Sequence, residues 1–119
     1  MAKVLLIDDN PIILENIKEM LEIYGLEVIA VSNGENGIMV AREEQPDLIL
    51  CDASMPGMNG YEVLKAIKGD PRVSGITFLF LSAYASEQEV ESGLKMGAQG
   101  YLIKSIDPDE LVKRIASFI

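Results

Sequence analysis

The sequence predicts an α/β fold, a doubly wound sheet of five parallel strands with helices on both faces. Short apolar runs alternate with amphipathic segments that begin at helix-capping residues, and this alternation repeats along the chain. Strand–helix–strand units of this kind place their strands parallel in one sheet, through right-handed crossovers. The 119 residues are too few for an eight-unit barrel, which needs about 250. We therefore expect one domain spanning residues 1–119.

The first half of the chain supplies two strands and two helices. The first strand is predicted over residues 4–7, which are all apolar. The first helix begins with Asn10 as N-cap and a proline at the first helical position, and it ends at Gly25, which suits a left-handed cap. Residues 26–31 form the second strand. A weaker helix then opens at Asn33.

The third and fourth strands flank a capped helix. Residues 48–51 are apolar and form the third strand, which ends at Asp52. Asn59 and Glu62 have the spacing of a capping box and predict the start of the third helix. Residues 76–81 are apolar except for one threonine, so we expect this fourth strand to be buried on both faces.

The last part of the chain repeats the pattern. Ser86 and Glu89 predict a capping box for the fourth helix, and Gly97 ends that helix. Residues 99–103 form the fifth strand. Residues 107–110 supply an N-cap, a proline at the first helical position and a capping box for the last helix.

The charge balance disfavours some classes of partner. The chain has 10 basic and 19 acidic residues, a formal net charge of −9. Proteins bind nucleic acids and anionic lipids by neutralising their phosphates with basic residues, and an excess of acidic residues repels those phosphates. We therefore expect no direct binding to nucleic acid or to a membrane. A basic partner protein or a bound cation remains compatible with this charge.

The residue types also limit the chemistry. The absence of histidine excludes histidine-based triads and histidine-bearing zinc sites. The single Cys51 allows no internal disulfide, and we interpret it as a small apolar strand residue. No segment has the roughly 20 apolar residues of a membrane-spanning helix, and no signal peptide is evident. We therefore expect a cytoplasmic protein.

Reactive side chains follow the predicted strands. Asp8 and Asp9 follow the first strand, Asp52 the third, Ser82 the fourth and Lys104 the fifth. In open parallel sheets these strand ends lie at one edge, where ligands bind. Clustered carboxylates repel one another unless cations lie between them, and Mg²⁺ (or Mn²⁺) suits such oxygen ligands. Carboxylates, a lysine, a hydroxyl and Mg²⁺ are the groups that phosphoryl transfer requires, and an aspartate can act as the nucleophile.

In these motifs the chain resembles the receiver domain of bacterial two-component response regulators, over its whole length. The resemblance implies the flavodoxin-like receiver fold. The segments that carry the resemblance are residues 6–10, 47–52, 55–60, 81–83 and 97–104.

The resemblance implies a phosphoacceptor and a metal site. Asp52 would accept a phosphoryl group from a phosphohistidine on a sensor histidine kinase or a histidine phosphotransfer protein. Asp8, Asp9 and Asp52 would bind Mg²⁺ together with the backbone carbonyl of Ser54.

The resemblance also implies the groups that respond to the phosphoryl group. Lys104 and the backbone N–H groups of Ala53 and Ala83 would contact its oxygens. Ser82 and Tyr101 would act as the switch pair, in which Tyr101 turns inward when Ser82 moves toward the phosphoryl group. The result would be altered binding to a downstream protein target or output domain, or a phosphorylation-dependent homodimer. Such a module is not an enzyme in the usual sense, although it catalyses its own phosphoryl transfer and slow self-dephosphorylation.

The chain departs from the family at Ser105, where the family usually has a proline after the lysine. A cis bond before a non-proline residue costs about 2.5–4 kcal/mol, so we expect a trans Lys104–Ser105 bond or an altered loop. This change bears on the reach of Lys104.

Simpler roles and other functions also fit parts of the pattern. Asp8 and Asp9 would also cap a helix, Ser82 would also start a turn, and Tyr101 would also serve as an ordinary strand aromatic. An aspartate-nucleophile phosphatase resembles this pattern but has a second aspartate two residues after the first, where Asn10 stands here. A pseudo-receiver would use the same fold for constitutive protein binding.

Overall fold

The computed structural model describes residues 2–119 as five strands that alternate with five helices. The strands are β1 (Lys3–Ile7), β2 (Glu27–Val31), β3 (Leu48–Asp52), β4 (Thr77–Ser82) and β5 (Gly100–Ile103). The helices are α1 (Pro11–Ile23), α2 (Gly34–Glu44), α3 (Gly60–Lys68), α4 (Glu87–Lys95) and α5 (Pro108–Ala116).

The strands form one parallel sheet in the order β2-β1-β3-β4-β5. The predicted doubly wound sheet is therefore confirmed. The strand order reverses between β1 and β3, because the chain leaves β1 toward one edge of the sheet and returns to build the other. The carboxyl ends of these two central strands flank the crevice in which ligands of such sheets bind.

Two apolar cores lie on the two faces of the sheet. One face packs against α2 and α3, and its centre includes the rings of Phe78 and Phe80. The other face packs against α1 and α5 through Leu21 and Ile115. β3 is buried at every position, Leu48–Asp52, as expected for a strand covered on both faces.

The helix starts follow the predicted capping residues, with one difference. Asn10 accepts hydrogen bonds at the start of α1, and complete capping boxes start α3 and α4. At α5 the Asp107 carboxylate accepts a hydrogen bond from the N–H of Asp109 at 2.9 Å. The predicted capping box with Glu110 does not form, because the carboxylate turns back to the nearer N–H group.

Strand ends differ from the predictions by about one residue, and two of these shifts concern the site. Asp52 is the last residue of β3, and Ser82 is the last residue of β4. Both were expected just beyond their strands. Asp52 pairs in register with Leu81, and Ser82 pairs with Ile103, so the strand ladder includes both residues. The ladder therefore fixes the backbone of both residues.

The Lys104–Ser105 peptide bond is trans, as expected, since no cis peptide bond occurs in residues 2–119. No helix in the described part of the chain is both long enough and apolar enough to cross a membrane.

Candidate functional site

Three carboxylates meet at the carboxyl ends of β1 and β3. Asp8 is fully buried, Asp52 is 5% exposed, and Asp9 is exposed. One oxygen from each lies within 4.8 Å of the others. The sequence prediction that these residues converge is confirmed, and the reason is the parallel register of the two central strands.

Local turns orient the two buried carboxylates. Oδ1 of Asp8 accepts a hydrogen bond from the N–H of Asn10 at 2.9 Å, and Oδ1 of Asp52 accepts one from the N–H of Ser54 at 3.1 Å. Each carboxylate binds the backbone two residues ahead, a local pattern that aspartate favours in turns. The second oxygen of each side chain is thereby left to face the centre of the site.

Lys104 connects the two buried carboxylates. Its Nζ lies 2.8 Å from Oδ2 of Asp8 and 3.2 Å from Oδ2 of Asp52. The backbone N–H of Lys104 donates to the carbonyl of Ser82 at 2.7 Å, which ties the residue to the end of β4. Lys104 therefore reaches both acids with a serine, rather than the usual proline, after it.

Burial and charge shift the pKa values at this site. Burial is the main cause that raises the pKa of Asp52, and the nearby Asp8 carboxylate adds to it. The N–H of Ser54 and the ammonium of Lys104 act in the opposite direction. Burial acts to lower the pKa of Lys104, but the carboxylates of Asp8 and Asp52 outweigh it and raise that pKa. Three carboxylate side chains thus share a single lysine at this site.

The residues fit a divalent cation that prefers oxygen ligands. Oδ2 of Asp8 is buried and accepts no hydrogen bond of acceptable geometry from residues 2–119, although the ammonium of Lys104 lies beside it. One lysine serves a cluster of three carboxylates, so a further cation would reduce the repulsion between them. Carboxylate oxygens are ligands that suit Mg²⁺, which usually binds one or two of them and keeps several waters.

Two backbone N–H groups beside Asp52 are available to an anion. Within the described chain, neither Ala53 nor Ala83 donates its N–H in a hydrogen bond. The Ala53 carbonyl accepts from the N–H of Gly60 at 3.0 Å, which folds the loop after β3 back onto the strand end. A Cβ at Gly60 would collide with the backbone of Asp52 and Ala53, so this close return requires glycine.

The hydroxyl of Ser82 is engaged away from the carboxylates. Ser82 is 5% exposed, and its Oγ donates to the carbonyl of Tyr84 at 2.9 Å. Its position at the end of β4 beside Asp52 agrees with the sequence prediction. Its present hydrogen bond is directed along its own loop.

Tyr101 belongs to an aromatic group on the α3 side of the sheet. Its ring centroid lies 5.0 Å from that of Phe80, and its hydroxyl lies 3.0 Å from the hydroxyl of Tyr61. Burial is the main cause that raises the pKa of the Tyr101 phenol, and the hydrogen bond with Tyr61 adds to it. The structure does not bring Tyr101 into contact with Asp52 or Lys104 through a hydrogen bond.

Sequence reasoning missed the contributions of Gly60 and Tyr61. Gly60 and Tyr61 are the two residues after the capping residue Asn59, so the sequence did predict the helix start. The close approach of Gly60 to β3 and the hydroxyl contact of Tyr61 depend on how α3 docks on the sheet. No local pattern in the sequence specifies that docking.

Cys51 lies in the buried interior of β3, as interpreted from the sequence. Burial raises the pKa of its thiol, and the neighbouring Asp52 adds to the effect. The thiol is therefore protonated and unreactive at neutral pH.

Comparison with known proteins gives a consistent result. The family model described as "Response regulator receiver domain" matches residues 4–116. The protein PilH of Pseudomonas aeruginosa is 35% identical over 115 residues, which cover 97% of this chain and 95% of PilH. The nitrate/nitrite response regulator protein NarL of Escherichia coli is 40% identical over 116 residues, which cover 96% of this chain and 53% of NarL.

Solved structures agree with the sequence relatives. The chemotaxis protein CheY4 of Vibrio cholerae superposes with a TM-score of 0.94 and is 30% identical, with 100% of this chain and 99% of that chain covered. The similarity therefore extends over the whole sheet and all five helices.

Proposed function

The chain belongs to the response regulator receiver family of two-component signal transduction, and we propose that it is a phosphorylation-controlled signalling module with Asp52 as phosphoacceptor. The observation that carries this proposal is the position of Asp52. It ends a central strand, with Lys104 at 3.2 Å and two further carboxylates within 4.8 Å.

The phosphoryl donor is a phosphohistidine on a sensor histidine kinase or a histidine phosphotransfer protein. A carboxylate oxygen of Asp52 attacks phosphorus, a P–O bond forms, and the P–N bond to the imidazole breaks. The leaving imidazole keeps the electron pair of the P–N bond.

In this proposal Mg²⁺ would be held by Asp8, Asp9, Asp52 and the carbonyl of Ser54. When bound, the ion neutralises negative charge on the transferring phosphoryl oxygens. Lys104 neutralises another oxygen, and the N–H groups of Ala53 and Ala83 donate to the same group. These are fixed donors aimed at the developing charge, the arrangement that stabilises phosphoryl-transfer transition states.

The response begins at Ser82. A phosphoryl group adds a charge of about −1.5 to −2 and strong acceptor oxygens next to this hydroxyl. Ser82 exchanges its bond to the Tyr84 carbonyl for one to the phosphoryl group, and Tyr101 changes its packing in response. The surface formed by α4, β5 and α5 then changes its affinity for a downstream protein target, an output domain or a second copy.

The proposed domain organisation is a single receiver domain over residues 1–119 that acts in the cytoplasm. Slow self-dephosphorylation by the same groups returns it to its starting state. The observed fold has no cap domain of the kind that a substrate-selecting phosphatase would need within residues 2–119.

The test is incubation of the purified chain with Mg²⁺ and acetyl phosphate, followed by intact-mass measurement. We expect a mass gain of one phosphoryl group per chain, and Asp52→Asn should not show this gain. Asp47→Asn is the control and should show the same gain as the unmodified chain, because it changes an exposed aspartate of the preceding loop. Chelation of Mg²⁺ should prevent labelling.

Three outcomes would count against the proposal. Many turnovers of varied phosphate esters would indicate an aspartate-nucleophile phosphatase. Full labelling of Asp52→Asn would place the acceptor elsewhere. Absence of labelling by acetyl phosphate and by phosphohistidine donors would indicate a pseudo-receiver that binds its partners constitutively.

A further inference from the structure

Tyr61 lies at the first turn of α3 and links three elements of the fold. Its ring centroid is 4.8 Å from that of Phe80 on β4. Its hydroxyl lies 3.0 Å from the hydroxyl of Tyr101 on β5 and 3.4 Å from the carbonyl of Glu89 in the first turn of α4. One half-buried side chain of α3 therefore contacts β4, β5 and α4.

The direction of the hydrogen bonds follows from the donors available. A phenol has one proton, and the Glu89 carbonyl can only accept. Because Tyr61 donates to that carbonyl, Tyr101 donates to the Tyr61 oxygen. The resulting chain runs from Tyr101 through Tyr61 to the backbone of α4, and it fixes the orientation of the Tyr101 ring.

α4 depends on this aromatic group for its position. Its one buried residue is Gly93. A Cβ there would lie 2.9 Å from Cε2 of Phe80 and 3.3 Å from Cδ2 of Tyr101. The helix thus rests directly on the two rings, and its other residues are exposed or half-buried. A helix with so little buried apolar area is among the elements that move most easily.

We propose that Tyr61 is a positioning residue of the switch, whose hydroxyl holds Tyr101 and the first turn of α4 in the conformation in which Ser82 is bonded to the Tyr84 carbonyl. The proposal rests on the proposed function, because it assigns Tyr61 to the switch described there. The same conformation contains both the Ser82–Tyr84 bond and the Tyr61–Tyr101 bond. A contact made in one state and broken in the other opposes the transition.

The consequence is a change in affinity at a distant site. Removing the Tyr61 hydroxyl should make the transition easier, so an anion that favours the switched state should bind Asp52 more tightly. Loss of a net hydrogen bond corresponds to about a twofold to tenfold change in an equilibrium constant. A residue that only supported the fold would weaken binding or leave it unchanged.

The first experiment measures binding of beryllofluoride, a phosphoryl mimic, to the full chain with Mg²⁺ by amide chemical-shift titration. We expect Tyr61→Phe to bind about twofold to tenfold more tightly than the unmodified chain. Tyr24→Phe is the matched control, because it removes another hydrogen-bonded phenol hydroxyl, whose partner is Asp109. In a Tyr101→Phe background, the effect of Tyr61→Phe should shrink toward zero, since the hydroxyl pair is already broken.

The same titrations would overturn the proposal in three ways. These are unchanged or weaker binding by Tyr61→Phe, an equal gain in Tyr24→Phe, or an undiminished gain in the Tyr101→Phe background.

The second experiment separates this inference from the proposed function, because it needs no ligand. Hydrogen exchange of the α4 amides should be about twofold to tenfold faster in Tyr61→Phe than in the unmodified chain. Unchanged exchange would overturn the role of Tyr61. Failure of the unmodified chain to bind beryllofluoride would overturn the proposed function, and the exchange rates would still decide the role of Tyr61.

Discussion

At the scale of single residues, the site depends on a charge balance in a nearly dry environment. Asp8 and Asp52 are both buried, and repulsion between them is offset by one lysine that lies 2.8 Å and 3.2 Å from their oxygens. Removal of a partner from a buried ion pair is costly, because it leaves an uncompensated charge. Lys104 therefore has a structural role in addition to the proposed contact with the phosphoryl group.

We predict that Lys104→Met lowers the free energy of unfolding by about 1–3 kcal/mol at neutral pH, since two buried carboxylates lose their common cation. Urea denaturation measures the change. Mg²⁺ should restore more stability to this variant than it adds to the unmodified chain, because the ion supplies the missing positive charge. Lys65→Met, at an exposed lysine without an ion pair in the described chain, is the control. Equal losses in both variants would contradict this account.

At the scale of elements, two loops position the site and the helices. The loop after β3 returns so closely that Gly60 lies against the backbone of Asp52 and Ala53. On the far side of α3, Asp70 binds Arg42 of α2 at 2.8 Å and Arg72 of its own loop at 2.9 Å. Each loop thus ties the end of a helix to a neighbouring part of the fold.

Gly60→Ala should reduce stability by about 1–3 kcal/mol, because the added methyl group forces the loop away from β3. The same change should slow the labelling of Asp52, whose backbone the loop contacts. Thermal unfolding and the rate of phosphorylation by acetyl phosphate measure the two effects. Gly75→Ala is the control, since a Cβ at Gly75 would meet nothing within 4 Å. A Gly60→Ala protein as stable as the control would show that the close approach is unimportant.

Acid should reduce the stability that the Asp70 ion pairs contribute. Hydrogen bonds from the side chain and backbone of Arg72, with a further one from Arg42, hold the pKa of Asp70 well below its usual range. A depressed pKa contributes stability that is complete above the unfolded-state pKa, about 3.9, and is lost as pH falls toward the folded-state pKa. Asp70→Asn should therefore be less stable than the unmodified chain at pH 7, and the difference should narrow below about pH 4.

Urea denaturation at several pH values measures this difference. Glu43→Gln, at an exposed acid without an ion pair in residues 2–119, should show no comparable narrowing. A stability difference for Asp70→Asn that persisted unchanged into acid would contradict the assignment.

At the scale of the whole molecule, the parallel sheet explains why so much of the site could be predicted. Asp8, Asp9, Asp52 and Lys104 converge because each follows or ends a strand, and parallel strands end at one edge. Strand identity alone is enough for that inference. The sequence does not specify side-chain rotamers, however, so the bond from Ser82 to Tyr84 was not predictable.

The parts that could not be predicted depend on helix docking. Tyr61 meets Tyr101 only because α3 packs on the same face of the sheet as the Tyr101 side chain of β5. Likewise, Gln45 at the end of α2 has a left-handed backbone with φ of 47°. This conformation could not be predicted, because such positions are usually glycine or asparagine. Such features result from tertiary contacts that override local preference.

In the proposed function, acids distant in sequence hold a cation beside the phosphoacceptor Asp52. The most direct measurement is a crystal structure of the chain with Mg²⁺ and beryllofluoride. We expect beryllium bonded to a carboxylate oxygen of Asp52, and Mg²⁺ in contact with Asp9 and Asp52. Beryllofluoride on another residue, or a metal ion bound away from Asp8, Asp9 and Asp52, would contradict it.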